Sequence, residues 1–487
     1  MLIYDSIRAM AARDPRAVIF TFLDAGLHES VYTQERLHNE AERIARRIAS
    51  LNPNPDFPIG ILFHSQQSQV LNYVAALSLG LRPAILTPPN RKLNKAYYLE
   101  TMSAIMGLCR FSEVLTDVPE IGAPVREVFS SPLLSDTAFV QFSSGTTGIK
   151  RGVEISHGAA LAQVDTYSRA IGLTREDRIV SWLPLYHDMG FMTALNMALV
   201  AGVHSIMMQP TDWVSDPGIF FRAISCNRAT LAWNPNFAYA FMAHRVRESD
   251  LAYVDLSSLR GLVNCSEPVT EKSQRRFRDR FKPYGLANGV FWGCYAMAET
   301  TFALTHGIGE DTSVGQPLDG VELTVKEGTG ELWVKSPFTM SRYYNNPEAT
   351  AEAFQNGWYK TGDLGRCAGD RLYVCGREKD LLIIAGENYF PEDLESAVSA
   401  IPGIDPGRVC AFSQFHHPSQ TERAVILAES STPTPSLLLS VRQDVASRFQ
   451  LAQFDIHFVP PGWLIKSSAG KMARPLNRKK WIGDESR

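Results

Sequence analysis

Short apolar runs alternate with helix-period segments over roughly 300 residues of this 487-residue chain, and that alternation restricts the fold more than any single motif does. Residues 33–50 carry Leu37, Ala41, Ile44, Ala45 and Ile48 at helical spacing, with charges between them. Residues 58–63 read as a buried strand, 70–79 as a helix and 83–87 as the next strand. The pattern returns around 178–182, 204–208, 229–233 and 259–264. Strands separated by helices pair in parallel, because the intervening helix carries the chain back to its starting edge. Near residue 315 the texture changes. Residues 321–325, 330–334 and 371–374 read as short antiparallel strands joined by glycine-rich turns. After Gly376 a new unit begins, with a helix start at 391–395, later strand-like runs and a basic tail. The expected architecture is α/β. A large N-terminal domain (1–375) combines parallel-type sheets covered by helices with a small β-barrel-like subdomain. A hinge at 376–380 then leads to a small mobile α+β C-terminal domain (381–487).

Composition narrows the class. A hydrophobic content of 45% supports a substantial core, and the length calls for more than one domain. A net charge of -3 without a basic stripe argues against nucleic acid as a partner. The seven cysteines are scattered and form no C-x-x-C pair, which fits neither a disulfide framework nor a zinc site and agrees with a reducing cytoplasm. The N-terminus lacks a basic region followed by a long apolar one, and no apolar run approaches about 18 residues, so neither a secretory signal nor a membrane span is expected.

Residues 141–153 read Gln-Phe-Ser-Ser-Gly-Thr-Thr-Gly-Ile-Lys-Arg-Gly-Val and follow an apolar strand-like run at 138–140. Glycines let the backbone approach a polyanion, and amide groups in a tight turn can point at phosphate oxygens. Ser143, Ser144, Thr146 and Thr147 add hydroxyl donors, and Lys150 and Arg151 add charge. The spacing is not that of the Walker loop. A Ser/Thr/Gly cluster is also a common solvated turn, so the loop gains weight only from its company. That company is Tyr295 and Glu299 after a strand end, Asp363 in an apparent tight turn, the run Gly376-Arg377-Glu378-Lys379-Asp380, and Lys466-Ser-Ser-Ala-Gly-Lys471 near the end.

Taken in order, these motifs resemble the adenylate-forming, acyl-activating enzyme superfamily, from about residue 33 to residue 474. The runs at 183–190, 234–239, 264–268 and 386–393 resemble most the fatty acyl-AMP ligases within it, as does Trp213 followed by Pro217. The resemblance implies activation of a carboxylic acid by ATP and Mg²⁺ to acyl-AMP, with release of pyrophosphate. It implies transfer to the phosphopantetheine thiol of an acyl or peptidyl carrier protein. An acyl-CoA ligase and a stand-alone amino-acid adenylation enzyme are the alternatives, and 322–334 and 349–360 carry no obvious insertion that would disfavour CoA.

The resemblance also implies roles. Ser143, Ser144, Gly145, Thr146, Thr147, Gly148 and Lys150 would hold the β- and γ-phosphates, with Thr147 and Glu299 at the metal. Ser266, Glu267 and Pro268 would line the adenine pocket, with Tyr295 stacking on the ring. Asp363 would accept the ribose hydroxyls and Arg377 would reach ribose or phosphate. Lys471 would bridge the attacking carboxylate and the α-phosphate. His187 would flank the passage to the acyl pocket, and Lys379 would be the hinge. Asp188, Trp233, Asn234, Cys265 and Ala296 would line the acyl pocket. Trp233, Asn234 and Cys265 differ from what a long-chain ligase would place there, and their bulk would shorten the pocket.

Overall fold

The computed structural model describes residues 2–89, 95–118, 132–143, 151–267, 269, 271–309, 311–384, 387–416, 421–451, 454–467 and 470–485. Its main body is built on a nine-stranded sheet. In order across that sheet the strands are Gln316–Pro317, Thr305–Ile308, Phe291–Cys294, Gly261–Cys265, Leu231–Pro235, Arg178–Ser181, His204–Met208, Val18–Leu23 and Glu29–Thr33. The central strands pair in parallel, and antiparallel pairs close both edges. Leu231–Pro235, Gly261–Cys265 and Phe291–Cys294 are buried at every position, as strands covered on both faces must be. A second sheet of Pro83–Ile85, Ile59–Leu62 and Glu113–Thr116 is wholly parallel.

The helices obey the same logic. Gln34–Ser50 turns Leu37, Ala41, Ala45 and Ile48 inward, and Thr33 caps it by accepting from the Arg36 amide. Gln66–Ser78 has no exposed face, because it is buried nearly all round, its Gln66, Gln69 and Asn72 included.

An antiparallel sheet of Glu322–Val325, Glu331–Lys335, Trp358–Ala368, Phe354–Gln355 and Arg371–Arg377 forms the expected small β unit. One expectation is corrected here. Asp363 is not in a tight turn but inside the eleven-residue strand Trp358–Ala368. Gly362 at φ +68° and a register shift between Leu364 and Gly365 mimic turn chemistry within that strand.

Residues beyond the Glu378–Asp380 turn form a separate core. Leu394 and Val398 of the helix Pro391–Ser399 and Val441 and Val445 of the helix Pro435–Phe449 pack on the sheet Val409–His416, Thr421–Glu429 and Phe454–Val459. Among the described residues no helix is long and apolar enough to cross a membrane.

Candidate active site

Four adjacent parallel strands of the large sheet end on the same side, where open α/β sheets bind ligands. The chain leaving Arg178–Ser181 carries Tyr186, His187 and Asp188, and Phe237 follows Leu231–Pro235. Ser266 and Glu267 follow Gly261–Cys265, and Tyr295 to Glu299 follow Phe291–Cys294. Of these, Tyr186, His187, Asp188, Ser266 and Ala296 to Glu299 form one wall of a cleft of about 470 Å³. The other walls come from Ser143 and Arg151, from Tyr343 and Tyr359, from Asp363 and Arg377, and from Ser467 and Lys471.

Around Asp363 and Glu299 the charged groups are held by one another. Asp363 accepts from the Tyr295 hydroxyl at 2.6 Å and from Arg377 Nε at 2.9 Å. The Asp363 carboxylate beside it raises the pKa of the Arg377 guanidinium further, so Arg377 is a fixed cation. Burial pushes the Tyr295 hydroxyl well up, and the neighbouring Asp363 charge adds to this, so Tyr295 remains a donor. Glu299 lies in a short turn, Ala298–Thr300, and accepts from the Tyr343 hydroxyl at 3.0 Å. Burial raises its carboxyl above the usual range, against the hydrogen bond from Tyr343 and the charge of Arg377. Arg151 lies over the Tyr343 ring at 4.9 Å, a cation–π contact that brings a second fixed charge to this wall. Ser266 adopts φ +71°, a strained left-handed conformation for a non-glycine residue at the cleft edge.

His187 and Asp188 line another part of the cleft. Gly190 sets their turn, since a Cβ there would lie 2.5 Å from the Pro184 carbonyl oxygen. The turn runs into a π-helical segment, Phe191–Asn196, a local irregularity frequent at functional sites. His187 Nδ1 lies 2.6 Å from Asp188 Oδ1, which also accepts the Met189 amide at 2.8 Å. Burial alone would raise the Asp188 carboxyl, but His187, Lys471 and the Met189 amide outweigh it and hold it at about 2.

Lys471 reaches the cleft from the C-terminal unit. Its hairpin is clasped by Ser467, whose N–H donates to the Lys471 carbonyl at 2.8 Å and whose Oγ accepts the Lys471 amide at 3.2 Å. Gly470 at φ +81° is pressed against the main body, because a Cβ there would lie 3.1 Å from the Phe237 ring. Lys466 also faces that ring, at 5.5 Å. Three residues past Lys471, Arg474 pairs with Asp380 at 2.7 Å and with Glu392 and Glu395 at 2.8 Å each. One guanidinium therefore ties the Lys471 hairpin to the Glu378–Asp380 turn.

Of the residues singled out in the sequence, the structure brings Ser143, His187, Asp188, Ser266, Ala296, Glu299, Asp363, Arg377, Lys379 and Lys471 to the cleft wall. Ser144, Gly145, Thr146, Thr147, Gly148, Lys150 and Pro268 lie outside the described residues. Ser143 donates its N–H to the Arg151 carbonyl at 3.0 Å, which pins the two ends of that loop together. Tyr295 is buried with its hydroxyl on Asp363 and is not part of the cleft wall. Glu267 accepts the Phe237 amide at 2.9 Å and is also set back. Trp233, Asn234 and Cys265 are fully buried behind the wall rather than in it, because all three lie within strands covered on both faces. Tyr343 lies outside every motif, and Phe237 and Arg474 lie within motif runs without any role read for them. A tyrosine in Arg-Tyr-Tyr, an aromatic after Pro-Asn and an arginine in a basic tail are each unremarkable until folded.

Glu299 also fits a magnesium ion in kind. It is one partly buried carboxylate beside cationic walls, and Mg²⁺ needs only one or two protein oxygens when phosphates and water supply the rest. Among the described residues no cluster of three or more acidic, histidine or cysteine side chains forms an all-protein metal cage.

Fold and site together define a two-part enzyme with a nucleotide-sized cleft at the crest of a parallel sheet and a lysine delivered by a second unit. Residues 7–344 match the AMP-binding enzyme family, and the chain belongs to that family. It is 26% identical to the long-chain-fatty-acid–AMP ligase FadD26 of Mycobacterium marinum, over 98% of this chain and 97% of the relative. It is 26% identical to the 4-hydroxyphenylalkanoate adenylyltransferase of Mycobacterium tuberculosis, over 99% of this chain and 92% of the relative. A solved fatty acyl-adenylate ligase, from work on the E. coli and L. pneumophila enzymes, superposes with TM-score 0.87. That match has 24% identity and covers 100% of this chain and 98% of the other.

Proposed function

We propose that the chain activates a carboxylic acid with ATP. A carboxylate oxygen attacks the α-phosphorus, the bond to the bridging β-oxygen breaks, and pyrophosphate leaves with the electron pair. A carboxylate needs no general base, so the protein's task is alignment and charge neutralisation. Asp363 is oriented by Tyr295 and Arg377 to accept the vicinal ribose hydroxyls. Ser266 borders the base. Ser143 and Arg151 face the departing pyrophosphate, and Lys471 stabilises the charge that grows between carboxylate and α-phosphate. Glu299 is the residue that would hold Mg²⁺, which when bound neutralises phosphate charge. His187 guards the passage between the acyl end and the nucleotide.

In this reading residues 381–487 are a lid that turns about Lys379 within the hinge 376–380. Turning withdraws Lys471 and admits the phosphopantetheine thiol of a carrier protein. The sulfur attacks the acyl carbon and AMP leaves. A carrier protein is the first choice of acceptor and CoA the alternative, since the relatives include both a fatty-acid–AMP ligase and a putative acyl-CoA synthetase. The observation that carries the reading is the convergence of Ser266, Glu299, Asp363, Arg377 and Lys471, far apart in sequence, on one cleft.

An amino acid is the second reading, favoured by the ionised Asp188 at the acyl end, which could pair with an α-ammonium. His187 at 2.6 Å already occupies one of its oxygens, which favours the simple acid. ATP–pyrophosphate exchange with a mixed panel of carboxylic and amino acids separates the two. Mass measurement after adding either CoA or a phosphopantetheinylated carrier then identifies the acceptor.

A further inference from the structure

Behind the acyl end of the cleft lies a continuous layer of buried side chains. Tyr167, from the helix His157–Ala170, accepts a hydrogen bond from Trp233 Nε1 at 3.0 Å. Cys294 and Cys265 lie beside that hydroxyl, near enough to interact with it electrostatically. The two cysteines face each other across neighbouring parallel strands. Ser266, at the cleft wall, lies with its Oγ 3.8 Å from Cys265 Sγ. The Tyr167 ring is enclosed by Trp233 at 6.2 Å, Phe302 at 5.6 Å and His306 at 6.0 Å. Beside this group Asn234 accepts from Trp182 Nε1 at 2.7 Å, and Trp182 stacks on Trp213 at 3.6 Å. On the cleft side the wall is Tyr186, His187, Asp188, Ser266 and Ala296, and Cys294 lies near enough to Asp188 to feel its charge.

We propose that the layer Trp233–Tyr167–Cys294–Cys265 is the floor of the acyl pocket and restricts the enzyme to short, compact carboxylic acids. The inference rests on the reading of this cleft as an acid-activating site. A long alkyl tail continuing past Asp188 and Ala296 would have to displace Tyr167 or Trp233. Both are fully buried and joined to each other by a hydrogen bond. Interiors of this density do not admit extra methylenes without shifting side chains off their rotamers. The hydrogen bonds stiffen the floor, because moving either ring leaves a buried donor or acceptor unpaired. The residues at 233, 234 and 265 thus act on substrate length from behind the wall, not by lining the pocket.

The test is kcat/KM for pyrophosphate release with acetate, propionate, butyrate, hexanoate, decanoate and palmitate, on the full chain with ATP and magnesium. The expected optimum lies between acetate and butyrate, with decanoate lower by about tenfold or more. Cys294→Gly thins the floor slightly, and Trp233→Ala removes most of it. In either variant that retains a cooperative melt and binds ATP, the decanoate-to-butyrate ratio of kcat/KM rises by about tenfold or more. A wild-type enzyme that uses decanoate or palmitate as well as butyrate overturns the floor, as does an unchanged ratio in both folded variants. These failures leave the acid-activating reading standing. If no acid at all yields an adenylate, that reading falls and the floor falls with it.

Discussion

The two ends of the cleft are built on opposite principles. At the nucleotide end, polar side chains from distant segments hold one another in place. Tyr295 and Arg377 orient Asp363, and Tyr343 orients Glu299. Such an arrangement is pre-set for a charged ligand and costs little reorganisation when one arrives. At the acyl end, a few polar groups face the cleft and a dense aromatic and thiol layer stands directly behind them. On the proposed reading that layer recognises nothing by itself and works by excluding volume. Substitutions at the nucleotide end should therefore change rate and ATP affinity. Substitutions at the acyl end should change stability and substrate size.

The largest effect expected is at the acyl end, on folding. Trp233→Ala empties a fully buried site and strips a partner from Tyr167, so denaturant unfolding should show a loss of about 3–5 kcal/mol. At the nucleotide end Lys471→Ala should lower the first-step rate by about a hundred- to a thousand-fold in single-turnover assays while leaving the melting temperature nearly unchanged. A loss of stability with little loss of rate would reverse the contrast between the two ends. Asp363→Asn weakens the pairing with Arg377 and replaces a charged ribose acceptor with a neutral one. The loss expected is about 1.5–3 kcal/mol in kcat/KM for ATP, with selectivity among acids unaltered.

The smallest expected effect concerns the contact between the C-terminal unit and the body. Burial, then Arg408, lowers the Lys466 ammonium to about 8, against the pull of Glu267, Glu429 and Glu395. Its folded pKa lies below its unfolded one, so between about pH 8 and 10 the unfolded chain holds more protons and folding stability rises with pH. Relative to Lys466→Met, the wild type should gain stability across that window, by no more than about 3 kcal/mol. A slope of the opposite sign would show that Lys466 is stabilised as a cation.

Much of the frame was legible before folding, for physical reasons. The 3.6 period in 33–50 is imposed by one-sided burial and the short apolar run at 204–208 by burial on both faces, and such patterns survive in any sequence that makes those elements. The cleft residues Ser266, Glu299, Asp363, Arg377 and Lys471 were legible because they sit in runs of glycine, hydroxyl and charge that ordinary elements rarely carry. Asp363 shows the limit of such reading. Glycines on either side of it suggested a turn, whereas they allow a bend within a long strand. The roles of Tyr343 and Arg474 were not legible because they depend on residues 44 and 94 positions away. The acyl floor was half legible. Trp233, Asn234 and Cys265 stood out by size, but Tyr167 and Cys294 complete the layer only when a helix and three strands meet.

The central claim is that an acid's own carboxylate oxygen attacks the α-phosphorus within this cleft. Carrying heavy oxygen in both carboxylate positions of an accepted acid, and weighing the nucleotide after one round of transfer to a thiol, measures it directly. The account predicts AMP bearing one heavy oxygen atom and unlabelled pyrophosphate. Unlabelled AMP, or label in the pyrophosphate, would contradict it.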